Sequence, residues 1–151
     1  MIIQNNNTTG IKGWLLLPAV SMITTPLILA GFLGINIKLI TDTQIIATLA
    51  EYPGAHAAMI AQTMIVAVQL VLGIYTAIHF FKKKQDLPLM IIAFLTIHLL
   101  VIIANLSLTY MSFNEINLAE YSGLTAAIFM TAAGIPYFLK SKRVHATFIN
   151  I

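Results

Sequence analysis

Four long apolar runs, separated by short polar stretches, form the main pattern of this chain. The runs cover residues 14–37, 55–81, 87–111 and 121–139. Each is close to or above the roughly 20 residues that an α-helix needs to cross the hydrocarbon core of a bilayer. The pattern therefore predicts an all-α membrane protein, a bundle of four transmembrane helices that forms a single integral membrane domain over residues 1–151.

The connection between the first two runs carries a helix signal of its own. Thr41-Asp42-Thr43-Gln44 has the form of a capping box, and the apolar residues after it fall on one helical face. Pro53-Gly54 ends the segment. We therefore expect a short helix through about Glu51, lying on the outer side at the membrane surface or packed over the bundle.

The first run allows two interpretations. Lys12, the apolar residues after it and Ala19-Val20-Ser21 also fit a cleavable signal peptide. A retained helix is favoured because the apolar run continues well past Ser21. Within that helix, Pro26 is expected to cause a kink. Gly31 and Gly34 are expected to allow close approach by a neighbouring helix.

Composition supports lipid as the solvent of this chain. Hydrophobic residues make up 59% of it and charged residues 9%, against about 25% charged residues in a typical soluble domain. Mean hydropathy is +0.91. The sequence contains no cysteine, which excludes disulfides, thiolate metal ligands and cysteine nucleophiles.

The distribution of charge predicts the topology. Four spans with both termini on one side leave Lys38 alone on the opposite side and put the remaining basic residues together: Lys12, Lys82, Lys83, Lys84, Lys140, Lys142 and Arg143. The positive-inside rule places that basic side, and both termini, in the cytoplasm. Because the basic residues cluster at the ends of apolar runs and not along one face, we expect no binding of nucleic acid.

Four polar residues inside the second and third runs are candidate site residues. Gln62 and Gln69 lie seven apart on the second span, and His98 and Asn105 lie seven apart on the third. In an antiparallel hairpin turning at the lysines, Gln69 faces His98 and Gln62 faces Asn105. The helical rise places Gln69 and His98 about 18 Å from the turn, near the midplane, and the other pair about 28 Å from it, near the interface.

Two interpretations of these residues stay open. In the favoured one they form hydrogen bonds between helices, since polar groups in hydrocarbon need partners. In the alternative, Gln69 and His98 form a small polar site at the midplane, where transporters bind substrates. The acidic residues all fall at helix ends or in loops, so no coupling ion has an obvious anionic ligand.

Motifs for catalysis or metal binding are absent from the sequence. There is no GxSxG, GxxxxGK, GxGxxG or HExxH. We therefore expect no catalytic residues, no cofactor, no metal site and no enzymatic activity.

Two terminal stretches resemble a known bacterial family. Gly13-Trp14-Leu15-Leu16-Leu17-Pro18, followed by Pro26, resembles the opening of the domain of unknown function 2569 family. Its closing motif resembles the stretch Ile135-Pro136-Tyr137-Phe138-Leu139-Lys140-Ser141-Lys142-Arg143-Val144, followed by Thr147-Phe148. The family often has an aromatic residue before Pro-Tyr-Phe, where this chain has Gly134-Ile135. The resemblance covers nearly the whole chain and implies a multi-pass protein of the bacterial inner membrane with four spans and no established activity.

Function is predicted only at a coarse level. The leading hypothesis is a non-enzymatic structural, accessory or partner-binding membrane protein, and the alternative is a small transporter or channel component that uses Gln69 and His98. Expected partners are membrane lipids and either another membrane protein or further copies of the chain. A cytoplasmic surface for lipid or a partner protein is expected at the ends of the first and fourth spans, formed by Trp14, Tyr137, Lys142 and Arg143.

Overall fold

The structure is a computed structural model that describes residues 11, 13–114 and 118–149. A short 3-10 turn, Gly13–Leu15, leads into six helices: α1 (Leu16–Thr41), α2 (Thr43–Leu49), α3 (Ala55–Phe81), α4 (Leu87–Phe113), α5 (Leu118–Lys140) and α6 (Lys142–Val144), the last followed by a π-helical segment, His145–Ile149. The described residues contain no β-strand. Four of the helices, α1, α3, α4 and α5, are long and apolar enough to cross a membrane, which confirms the predicted class of fold.

The start of α2 differs from the prediction by one residue. The N-cap is Asp42, whose carboxylate accepts hydrogen bonds from the backbone N–H groups of Gln44 at 2.9 Å and Ile45 at 3.4 Å. Thr41, which the capping-box interpretation placed at the cap, is instead the last residue of α1. Its hydroxyl donates to the carbonyl of Ile37 at 2.8 Å. Asp42 takes the cap because its backbone is extended, with φ −76° and ψ 118°, as the cap position requires.

The long helices pack as a series. α1 packs on α3, α3 on α4 and α4 on α5, whereas α1 and α5 share no extensive contact among the described residues. The prediction that a neighbouring helix approaches Gly31 and Gly34 closely is wrong for the helices of this chain, because a Cβ built at either glycine meets no atom of the described residues within 4 Å. The close approach occurs at Gly134 of α5, where a Cβ would lie 2.7 Å from Leu95 Cδ1 of α4.

Apolar side chains from both ends of the chain close one end of the bundle. Five of them are fully buried in one cluster, which we call the terminal seal: Leu15, Phe80, Leu87, Val144 and Phe148. The rings of Phe80 and Phe148 lie 5.4 Å apart. We call this the basic end, because Lys82, Lys83 and Lys84 follow Phe80 and Phe81 in the chain. The opposite end, where α2 joins α1 to α3, is the α2 end.

Local hydrogen bonds hold the C-terminal segment in the seal. Ser141 is extended and caps α6, accepting from the backbone N–H of Val144 at 3.4 Å. The His145 ring lies 3.0 Å from the carbonyl of Leu139 through Nε2, which satisfies an acceptor left over at the end of α5. The chain therefore leaves α5 in a defined turn that directs Val144 and Phe148 toward Leu15.

Truncation of the seal is expected to destabilise the fold. Phe148→Ala removes a fully buried ring, and such changes cost about 3–5 kcal/mol. Phe129→Ala is the matched control, because Phe129 is 73% exposed on the lipid-facing side of α5. Unfolding in detergent measures both variants. Equal loss of stability in the two would show that the C-terminal segment does not pack as described.

The chain is well suited to a test of which end faces the cytoplasm, since it has no native cysteine. Thr48→Cys places a thiol in α2 and Gln85→Cys places one beside the lysines, both at exposed positions. In right-side-out spheroplasts, a membrane-impermeant maleimide should label Thr48→Cys at once and Gln85→Cys only after lysis. The reverse order of labelling would contradict the predicted topology.

Candidate functional site

Gln69 of α3 and His98 of α4 meet in the middle of the bundle. The Gln69 side chain is 3% exposed, and its amide nitrogen is hydrogen-bonded to Nδ1 of His98. The pairing expected from the register of the hairpin is therefore present. Since Nδ1 accepts this bond, the neutral ring carries its proton on Nε2.

The His98 ring is held in place from two sides. The ring of Phe94, one turn earlier on α4, stacks on it with centroids 6.2 Å apart and an interplanar angle of 7°. Gln69 fixes Nδ1 from α3. Within the described part of the chain, Nε2 has no hydrogen-bond partner. The imidazole is thus oriented by the protein and keeps one donor available.

The second expected pair behaves differently. Gln62 and Asn105 form no hydrogen bond with each other, and Oδ1 of Asn105 is buried without a partner among the described residues. Both side chains instead line one cavity. The prediction of a bond between helices is wrong here, because open space separates the two helices at this level where the amides were expected to meet.

The cavity has a volume of about 370 Å³ and reaches from the midplane toward the α2 end. All four long helices contribute to its wall. Its polar lining consists of Asn36, Gln62, Gln69, His98, Asn105, Thr109 and Glu120. Its apolar lining includes Leu29, Phe32, Val66, Val101, Ile102 and Leu106. Polar and apolar groups in one concave space are typical of a binding site for a small molecule.

Three of these polar residues were not among the predicted site residues. Asn36 comes from α1, Thr109 from the end of α4 and Glu120 from the start of α5. The sequence did hold a signal for Asn36, which is the single amide in the first apolar run. Glu120 and Thr109 carry no such signal, because polar residues are ordinary near the ends of a span.

The one formally charged residue among the described residues of the cavity lining is acidic. Glu120 supplies a carboxylate, and no lysine or arginine lines the cavity. Amides of Asn36, Gln62 and Asn105 offer both donors and acceptors. Among the described residues, no three metal-ligating side chains come together. The lining therefore suits a neutral or cationic solute with hydrogen-bonding groups.

The second predicted surface, at the basic end, is only partly assembled. Lys142 is exposed, and Tyr137 is half-buried with its hydroxyl oxygen buried and unpartnered among the described residues. Arg143 packs on the N-terminal turn, where Nη1 of its guanidinium occupies the space that a Cβ on Gly13 would need. The side chain of Trp14 lies outside the described residues. The two terminal motifs thus meet as parts of a packed junction.

These features define a multi-pass α-helical membrane protein with a polar cavity inside its bundle. A family model described as "Protein of unknown function (DUF2569)" matches residues 8–149. The chain belongs to that family, as the two terminal motifs suggested. Comparison with curated proteins and with solved structures finds no significant match.

Double-mutant cycles should distinguish the hydrogen-bonded pair, Gln69 and His98, from the unbonded pair, Gln62 and Asn105, by their coupling energies. Gln69→Leu or His98→Leu alone leaves a buried polar group without its partner, which costs about 1–3 kcal/mol. The double variant removes both groups and should cost less than the sum of the two, by about 0.6 kcal/mol or more. Denaturant unfolding in mixed micelles measures the coupling.

Gln62→Leu and Asn105→Leu form the control cycle for this experiment. They line the same cavity, through which residues can couple, but they form no mutual hydrogen bond. Their coupling should therefore be smaller than that of Gln69 and His98. Coupling in the second cycle that equals the first would contradict the described pairing.

Proposed function

We propose that this protein is a non-enzymatic membrane protein that binds a small polar solute, neutral or cationic, in the cavity between its four spans. The observation that carries the proposal is the set of amides around that cavity. Asn36, Gln62 and Asn105 come from three different helices, and none has a hydrogen-bond partner among the described residues. Oδ1 of Asn105 is buried without a partner in the part of the chain that the structure describes, which is costly, so water or a polar ligand is its natural partner.

The oriented histidine supports the same proposal. A structural hydrogen bond requires only Gln69 and one ring nitrogen, yet His98 also borders the cavity. Its Nε2–H is a donor at the deepest point that a solute entering from the α2 end would reach. Gln69 then has a supporting role, because it orients the ring that contacts the solute.

Charge determines which solutes this cavity favours. Glu120 lies near the start of α5, at the α2 end of the cavity. A carboxylate at that position attracts cations and repels anions before they reach the amides. The proposed ligand is therefore a small cation or an uncharged hydrogen-bonding molecule.

Location and partners complete the proposal. We place the protein in the bacterial inner membrane with the basic end in the cytoplasm, which the charge asymmetry supports. The α2 end, from which solute enters, then faces outward. Lipids surround the spans, and a membrane-protein partner or a further copy of the chain would couple solute binding to a cellular response or to transport.

Thiol chemistry at Asn105 tests the cavity directly, since the chain has no native cysteine. In nanodiscs, Asn105→Cys should react readily with a cationic trimethylammonium-ethyl methanethiosulfonate. With each rate divided by that of the same reagent with a free thiol in solution, the anionic sulfonatoethyl analogue should react about fivefold more slowly, as about 1 kcal/mol of attraction implies. Adding Glu120→Gln should bring the two rates together.

Ala104→Cys is the control for this measurement. Ala104 is the neighbouring residue on α4 at the same depth, but it is exposed on the lipid-facing side and does not line the cavity. Polar reagents should hardly modify it. Equal reactivity at positions 104 and 105, or none at either, would contradict a solute-accessible cavity and leave the structural or accessory role as the explanation of the fold.

A further inference from the structure

A second concave site lies on the outside of the bundle, between α1 and α3 at the basic end. This apolar groove has a volume of about 490 Å³ and shares no lining residue with the polar cavity. α1 contributes Met22, Ile23, Pro26 and Leu27, and α3 contributes Ile74, Ala77, Ile78 and Phe81. The side chains of Ile23, Leu27, Ile74 and Ile78 are all about half exposed or more, so the groove opens toward the lipid.

Local packing explains why a groove forms at this place. α1 and α3 approach each other at Pro26 and Gly73, where a Cβ on Gly73 would lie 3.7 Å from Pro26 Cγ. Nearer the basic end, the small side chain of Ala77 lies between larger residues on both helices. The contact at Pro26 and the short side chain of Ala77 leave a channel between the two helices.

One charged residue, Lys82, lines the groove, and it lies at the end of α3. Lys83 and Lys84 follow in the chain and are exposed, but neither lines the groove. From Ile74 to Lys82 the helical rise covers about 12 Å, just under half of a hydrocarbon core roughly 30 Å thick. The groove therefore has an apolar section that fits within one leaflet and a cation at the level of the headgroups.

We propose that this groove binds one anionic phospholipid. An acyl chain lies along the apolar side chains of α1 and α3, and the phosphate contacts the ammonium group of Lys82. The lipid matches the groove in charge and in length. Its anionic headgroup fits the cation at the end of the groove, and an acyl chain confined to one leaflet fits the apolar section. This site does not depend on the polar cavity or on its ligand.

The lysine run provides matched variants for the test. Lys82→Gln and Lys84→Gln make the same change in charge two residues apart, and only the first touches the groove. Phosphatidylglycerol and phosphatidylcholine with identical acyl chains are titrated in parallel into the full chain in mild detergent, and native mass spectrometry counts the bound lipid. We expect one retained phosphatidylglycerol, an affinity about fivefold lower in Lys82→Gln, and less than a twofold change in Lys84→Gln.

Three results would overturn the proposal. Equal losses in Lys82→Gln and Lys84→Gln would show that diffuse charge attracts the lipid. Equal retention of the two lipids would show that the headgroup is not recognised. Competition by glycerol phosphate, which has no acyl chain, would show that the groove has no part in binding.

Filling the groove provides a second test that leaves the charge intact. Ala77→Phe should reduce retention of phosphatidylglycerol, whereas Ala93→Phe, at an exposed position on α4, should leave it unchanged. Thermal unfolding confirms that each variant is folded. If folded Ala77→Phe retains the lipid as the parent does, the acyl chain lies elsewhere and the proposal is wrong.

Discussion

Hydrocarbon offers no hydrogen-bond partner, and this constraint governs every polar group in the bundle. The backbone meets it by forming helices. Hydroxyls such as those of Thr63 and Thr76 meet it by donating to the carbonyl four residues earlier, each at 2.8 Å. Gln69 and His98 satisfy each other through a hydrogen bond between α3 and α4. Among the described residues, three buried side-chain oxygens lack a partner: Oδ1 of Asn105 in the cavity, and the hydroxyl oxygens of Tyr137 and Thr147 at the basic end. Of these three, only the one of Asn105 borders the polar cavity.

The same constraint divides the bundle into two halves. Toward the basic end, the interior is filled by the side chains of the terminal seal and is mostly apolar. Toward the α2 end, the interior is a cavity that both polar and apolar side chains line. The Gln69–His98 pair lies at the boundary between these halves. An interior that is closed at one end and open at the other is consistent with the proposed entry of a solute from the α2 end.

The spans and the central pair could be predicted from sequence because both depend on short-range regularities. Span length follows from hydropathy, and the facing of Gln69 and His98 follows from helical periodicity and one tight turn. The cavity wall could not be predicted from sequence, since Asn36 and Glu120 belong to it only because of where α1 and α5 lie relative to the α3–α4 hairpin. Those positions depend on side-chain packing between helices distant in sequence. For the same reason no neighbour in the described part of the chain approaches Gly31 or Gly34, where close approach was expected.

The terminal seal has a consequence for biosynthesis. Val144 and Phe148 leave the ribosome after all four spans, yet they are fully buried in one cluster with Leu15, which precedes the first span. The helices can therefore enter the membrane one after another, but the basic end cannot close until the last of them is in place. Nascent chains should expose apolar side chains at that end throughout translation, so insertion and final packing are separate events in the maturation of this protein.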